Sequence, residues 1–212
     1  MTAQDDIACR PPVEPADDGA IRKRLAASLV AIVGCGGLGS NVAAMLVRAG
    51  VGSLILIDYD AVEESNLNRQ MFFRDQIGVA KVEALGETLR RIAPGVNLAL
   101  VHKCMTPENL LATVGDADVV VEAADHAEVK AMVANVVCSH PTGMVLVAAS
   151  GIAGIDSAND IATHRVATNF YVVGDCRSDV RAGLPLLASR VMLAAAHQAH
   201  ATIRILLGHM DP

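Results

Sequence analysis

The chain has 212 residues, 52% of them hydrophobic and 19% charged, which is enough apolar material for one buried core and excludes a largely disordered chain. Its formal net charge of −6 excludes a generic nucleic-acid binder, because such proteins meet phosphates with a basic face. With three Phe, two Tyr and no Trp, the core has to be aliphatic, which suits helices packed on a buried parallel sheet.

Residues 1–16 are polar and carry Pro11, Pro12 and Pro15, so they read as a flexible arm, and 17–212 read as a single domain. The N-terminus has neither a basic start nor an apolar stretch, and no run reaches the roughly 18 apolar residues of a membrane span. The expectation is a soluble, cytoplasmic protein. A short helix is predicted over 18–27, a strand over 29–33, a helix over 38–49 and a strand over 53–57, which together make one βαβ unit. After a polar connection over 58–78, a helix is predicted over 81–92 and a strand over 97–101. Pro107 then opens a helix, and a strand at 118–121, a helix at 126–137 and a strand at 144–149 follow. Such alternation implies an α/β, Rossmann-like, mostly parallel sheet with helices on both faces. Two β-like runs at 161–166 and 170–173, with a helix over 187–207, read as a short β-rich appendage and a final helix.

Gly34-Cys35-Gly36-Gly37-Leu38-Gly39 fits G-x-G-x-x-G between a predicted strand and a predicted helix. Gly34, Gly36, Gly37 and Gly39 would allow a tight turn, close approach of phosphate and close helix packing, with free N–H groups facing an anion. Asp58 ends the second strand 19 residues after Gly39, where a carboxylate can accept hydrogen bonds from ribose hydroxyls. These features point to a nucleotide and leave NAD and ATP both open.

The next stretch separates the two. It reads Asp58-Tyr59-Asp60, then Ser65-Asn66-Leu67-Asn68-Arg69-Gln70, then Gly78-Val79-Ala80-Lys81, and later Glu122-Ala123-Ala124-Asp125. In this order the chain resembles the superfamily of ThiF, MoeB, HesA and the ubiquitin-activating enzymes, from about Leu29 to the last helix. It is most similar to the short ThiF-like branch, on Ala149-Ser150-Gly151-Ile152-Ala153-Gly154, on Asn169-Phe170-Tyr171-Val172-Val173-Gly174-Asp175 and on Ala195-Ala196-His197-Gln198-Ala199.

The resemblance implies an ATP-dependent adenylyltransferase that activates the C-terminal carboxylate of a small ubiquitin-like sulfur carrier protein ending in Gly-Gly, releasing pyrophosphate, with thiamine biosynthesis as the pathway. It implies a ribose contact for Asp58, phosphate contacts for Asn66, Arg69 and Lys81, and metal-linked catalysis for Asp125. The chemistry calls for such groups. A carboxylate and a triphosphate are both anionic, so the site has to neutralise charge and align the attack. Arg69 and Lys81 supply positive charge, Asp125 can hold Mg²⁺, and Asn66 and Asn68 can position the triphosphate. Asp60 either helps with metal or braces the loop.

Cys9, Cys35, Cys104, Cys138 and Cys176 include no C-x-x-C pair, so the structural zinc of many relatives is not expected, nor is a disulfide framework. Cys35 and Cys138 read as packed. Some relatives use a loop cysteine as nucleophile, and Cys176 is the candidate, with Arg177 and Arg181 nearby. Relatives form homodimers in which an N-terminal arginine reaches the partner's phosphates; Arg22 or Arg24 is the nearest substitute here. Three rival readings remain: an NAD-dependent oxidoreductase, a non-catalytic partner that recruits a carrier, and adenylation of another acceptor such as a transfer RNA modification. The acidic charge balance counts against the last.

Overall fold

The computed structural model describes residues 11–14, 17–140 and 144–211. Cys9 and most of the expected N-terminal arm lie outside them. Seven strands form one sheet in the order β3-β2-β1-β4-β5-β7-β6. The strands β1 (Leu29–Val33), β2 (Ser53–Asp58), β3 (Asn97–His102), β4 (Val119–Glu122), β5 (Val145–Ala149) and β7 (Phe170–Gly174) are all parallel. Only β6 (Ala162–Ala167) runs antiparallel, paired with β7 at the edge. The two β-like runs expected as an appendage therefore continue the sheet itself, because β7 finds its ladder partner in β5.

The near-continuous apolar strands are explained by burial on both faces. Alternate residues serve separate cores: Val30, Ile32, Leu54, Leu56, Val119 and Val121 face one, while Ala31, Val33, Ile55, Ile57 and Val120 face the other. The first core is covered by α1 (Asp18–Ala26), α2 (Gly37–Ala49), α3 (Lys81–Ile92) and α6 (Ala188–Leu206), the second by α4 (Pro107–Val114) and α5 (Ala127–Cys138). Helices α2 and α6 pack together. Both bury small residues, Gly39, Ser40, Ala43 and Ala44 on α2 and Ala194, Ala195, Ala199 and Ala201 on α6, which let their backbones approach. Local chemistry sets the ends. Gly50, in the left-handed conformation at φ 96°, closes α2, and Thr106 with Asn109 forms a capping box before Pro107 on α4.

One point of the arm is docked: Val13 is buried, donates its N–H to the Leu207 carbonyl at 2.9 Å and receives His209 Nε2 at 3.1 Å on its own carbonyl. Gln198 on α6 donates Nε2 to the carbonyls of Glu122 and Val147, at 2.9 and 3.2 Å, and so ties α6 to the end of β4 and the middle of β5. Among the described residues no helix is long and apolar enough to cross a membrane.

The chain runs outward from β1 through β2 to β3, then crosses back to β4 on the other side of β1. The strand order reverses between β1 and β4. A crevice opens at such a switch point beyond the carboxyl ends of the strands, where ligands bind in open α/β sheets.

Candidate functional site

A cleft of about 460 Å³ lies at that switch point, within the size range of small-molecule sites. Gly34, Gly36 and Gly37 line it, with Asp58, Asp60, Arg69, Lys81, Asp125 and Cys176. The glycines differ in why they are needed. Gly34 has φ +97°, and a Cβ there would lie 2.7 Å from the Ala123 carbonyl oxygen, so the turn packs directly against the end of β4. A Cβ on Gly39 would fall 1.8 Å from the Gly34 carbonyl oxygen. Gly39 is thus a packing requirement inside the turn and does not line the cleft. Gly36 has open space: its nearest neighbour would be Gln70 Nε2 at 3.7 Å. As the N-cap of α2 it offers no side-chain partner, so the first N–H groups of the helix stay free for a ligand.

Asp58 ends β2 and is largely buried. Its Oδ2 accepts the Cys35 N–H at 2.6 Å and its Oδ1 accepts the Asp60 N–H at 2.8 Å, so it pins the glycine turn to the second strand while still facing the cleft. Lys81, the first residue of α3, is 9% exposed and donates Nζ to Asp60 Oδ2 at 2.7 Å. Burial works against its charge, but the hydrogen bond to Asp60 and the charges of Asp58, Asp60 and Asp125 outweigh it and hold the ammonium above its usual pKa. Asp60 is therefore the brace of Lys81, and Lys81 stays positive at neutral pH.

The asparagines of the loop do not reach the cleft. Asn66 is buried in a short turn of 3₁₀ helix: its Oδ1 accepts the Glu63 N–H at 3.1 Å and its Nδ2 donates to Ser65 Oγ at 3.3 Å. Its two polar atoms are spent on the loop's own backbone and neighbour, as Asn in turns tends to do. The Asn68 Oδ1 accepts from Arg69 Nη1 at 2.8 Å, and the same Nη1 donates to the Ser65 carbonyl at 3.2 Å. Asn66 and Asn68, expected to position a triphosphate, are not among the residues that line the cleft in this ligand-free structure; they shape the loop and aim Arg69, which does line it.

Asp125 follows β4 and lines the same cleft. Its side chain is 87% exposed, 3.7 Å from His126 Nε2. Among the described residues no group of three or more His, Cys, Asp or Glu is placed to hold a metal ion. A lone exposed carboxylate still fits Mg²⁺, which is commonly held by one or two carboxylates together with substrate phosphates.

Cys176 lies at the rim, exposed, with φ 56°, the one described non-glycine residue with positive φ. The neighbouring guanidiniums are turned to carboxylates: Arg177 bonds Asp160, and Arg181 comes within 3.9 Å of Glu128. Cys35 is fully buried, and burial raises its thiol pKa well above the usual value. Cys138 is half-buried. Arg22 pairs with Asp18 at 2.8 Å and Arg24 Nη1 meets the Leu206 carbonyl at 3.5 Å; neither lines the cleft of its own chain.

Several cleft residues were not picked out from the sequence. Gln70 is buried and its Oε1 has no hydrogen-bond partner among the described residues. Lys103, Cys104 and Lys130 also line the cleft, and Lys130 pairs with the fully buried Glu122. One signal was present: an acid directly after Val119-Val120-Val121, at the end of a buried strand, needs a cation, and the following helix holds one lysine.

Known proteins resemble the chain at both levels. A profile described as the ThiF family matches residues 12–212. Ubiquitin-like modifier-activating enzyme 5 of Drosophila pseudoobscura pseudoobscura is 45% identical over 108 residues, covering 49% of this chain and 27% of that protein. Adenylyltransferase and sulfurtransferase MOCS3 of Bos taurus is 42% identical over 113 residues, 53% of this chain and 25% of that one. The match thus spans about a quarter of the length of these curated relatives. Among solved structures, the tRNA N6-threonylcarbamoyladenosine dehydratase TcdA of E. coli, in complex with ATP, has a TM-score of 0.78 at 23% identity and covers 88% of each chain. MccB of E. coli, solved with ATP, has a TM-score of 0.71 at 24% identity over 91% of this chain and 59% of its own. At these identities the two structures establish the shared fold.

Proposed function

The chain belongs to the ThiF family, and from that premise we propose that it is an ATP-dependent adenylyltransferase acting on a carboxylate. The observation that carries the reading is the convergence of Arg69, Lys81 and the exposed Asp125 on one switch-point cleft. An oxyanion of the acceptor carboxylate forms a bond to the α-phosphorus of ATP, and the bond from that phosphorus to the bridging oxygen breaks, releasing pyrophosphate. The acceptor is already ionised at neutral pH, so no general base is required. What has to be supplied is charge neutralisation and alignment.

The free N–H groups at the start of α2 and the side chains of Arg69 and Lys81 receive the phosphates; Asp60 keeps Lys81 charged and Asn68 holds Arg69 in place. Asp58 carries the ribose contact as well as the turn. Asp125 would hold Mg²⁺, which would supply Lewis-acid neutralisation of the phosphate charge. The acceptor we favour is the C-terminal carboxylate of a small ubiquitin-like sulfur carrier ending in Gly-Gly, in thiamine biosynthesis; the names of the two curated relatives support a ubiquitin-like or sulfur-carrier acceptor. Its exposure at the rim supports Cys176 as the thiol that accepts the activated acyl group, with AMP as the leaving group. A homodimer would bring Arg22 or Arg24 of the partner to the phosphates.

ATP–pyrophosphate exchange with purified candidate carriers tests the reading. Carrier-dependent exchange is expected. Binding of Mg-ATP and carrier with no exchange would point instead to a recruiting partner, exchange that required transfer RNA would move the acceptor to a nucleic acid, and selective binding of NAD over Mg-ATP would favour an oxidoreductase.

A further inference from the structure

Lys130 is a cleft residue for which phosphate chemistry leaves no task, since its ammonium is already fully engaged. It sits on α5, and its Nζ donates to Glu122 Oε1 at 3.2 Å, to Glu122 Oε2 at 3.0 Å and to the Ala149 carbonyl at 3.1 Å. An ammonium has three donors, so none is left for a ligand. Glu122 is buried at the end of β4, and its Oε1 also accepts the Ala124 N–H at 2.7 Å, closing the turn that runs from the strand to Asp125. Among the described residues the Asp125 side chain, in contrast, has no anchor beyond His126 at 3.7 Å, so its direction depends on the backbone of that turn. The turn is also the surface on which the glycine loop rests, because Gly34 packs against Ala123 and Ala124. One buried acid and one lysine thus fix the turn that carries Asp125 into the cleft, and the Ala149 contact ties that turn to β5.

We infer that Lys130 is a positioning residue: through Glu122 it sets the turn that aims Asp125 at the metal accompanying ATP. This rests on the adenylyltransferase reading. A purely structural ion pair would affect stability alone, whereas a positioning pair also sets how strongly magnesium tightens ATP binding. Loss of residues that orient a metal ligand typically costs about 10- to 100-fold in metal affinity.

The test uses the full chain and calorimetric titration of ATP with excess magnesium and with EDTA. Compared with the unchanged chain are Asp125→Asn, Lys130→Arg, Lys130→Gln and the double change Lys130→Met with Glu122→Leu. The double change removes both charges together, because truncating one partner alone strands a buried charge. In the unchanged chain magnesium is expected to tighten ATP binding, and the double variant is expected to lose about tenfold of that gain, approaching Asp125→Asn, with its affinity in EDTA unchanged. Lys130→Arg should keep most of the gain. Hydrogen exchange over residues 123–126 should speed up in the double variant while α2 and α6 stay protected. A folded double variant with the full magnesium gain would overturn the inference. If that variant does not fold, Lys130→Gln decides, and a gain equal to that of the unchanged chain overturns it. ATP binding by the unchanged chain that ignores magnesium would overturn the underlying reading as well.

Discussion

At the residue scale, exposure separates side chains free to act from those that build. Asp125 is 87% exposed and supports almost nothing, so Asp125→Ala is expected to leave the unfolding midpoint unchanged and to lower exchange by about 10²- to 10³-fold, as removal of a transition-state electrostatic group does. Coupled melting and exchange assays check both halves at once. The glycines allow a paired comparison. Gly39→Ala puts a Cβ 1.8 Å from the Gly34 carbonyl oxygen and is expected to destabilise the fold by at least the roughly 1–3 kcal/mol of an overpacked core. Gly36→Ala meets nothing nearer than 3.7 Å, so it should melt like the unchanged chain while weakening ATP binding. Equal melting of the two variants would refute this division of roles. Such differences are hidden in the sequence, where both are simply glycines of one motif; likewise Asn66 matched its motif yet folds back on Glu63 and Ser65.

At the element scale, the join between β7 and α6 rests on a buried ion pair. Arg190 near the start of α6 donates Nη2 to Asp175 Oδ2 at 2.6 Å, with side chains 5% and 1% exposed, and its Nη1 holds the carbonyls of Asp156 and Ser157. Asp175 also accepts the N–H groups of Arg177 and Ser178, which sets the loop carrying Cys176. Burial opposes the charge of Asp175, but these hydrogen bonds and that of Arg190 prevail and lower its pKa from 3.8 to about 2. A lowered carboxylate pKa stabilises the fold fully above the unfolded value and is lost as the pH falls. The contribution of Asp175 is therefore expected to disappear between about pH 4 and pH 2, and Asp175→Asn should flatten the acid unfolding curve in that window. Arg190→Met, which leaves the carboxylate buried and unpaired, is expected to cost about 3–5 kcal/mol at neutral pH by denaturant unfolding. The sequence displayed both residues without linking them, since they are distant along the chain and meet only when α6 returns over β7.

For the whole molecule, the cleft exists because strand order reverses between β1 and β4, so binding at it should stabilise the entire domain by mass action. Mg-ATP at 100 times its dissociation constant is expected to add about 2.7 kcal/mol to the unfolding free energy, while NAD at the same concentration should add little. A thermal-shift series with the two nucleotides decides, and a larger shift with NAD would reject the ATP assignment. The alternation of strands and helices, the parallel sheet, the nucleotide turn and the family were all legible in the sequence, because they follow from local periodicity and from short motifs whose spacing is set by one strand-turn-helix unit. What only the tertiary structure decided was how segments close on one another: that β6 and β7 extend the main sheet, that Asn66 and Asn68 bond within their own loop, and that Lys130 joins Glu122 to the Ala149 carbonyl of β5. Sequence motifs name the residues near a ligand, but the direction in which a side chain points depends on which hydrogen bonds its loop closes, and motif spacing does not specify those, even when the partners are only a few residues away.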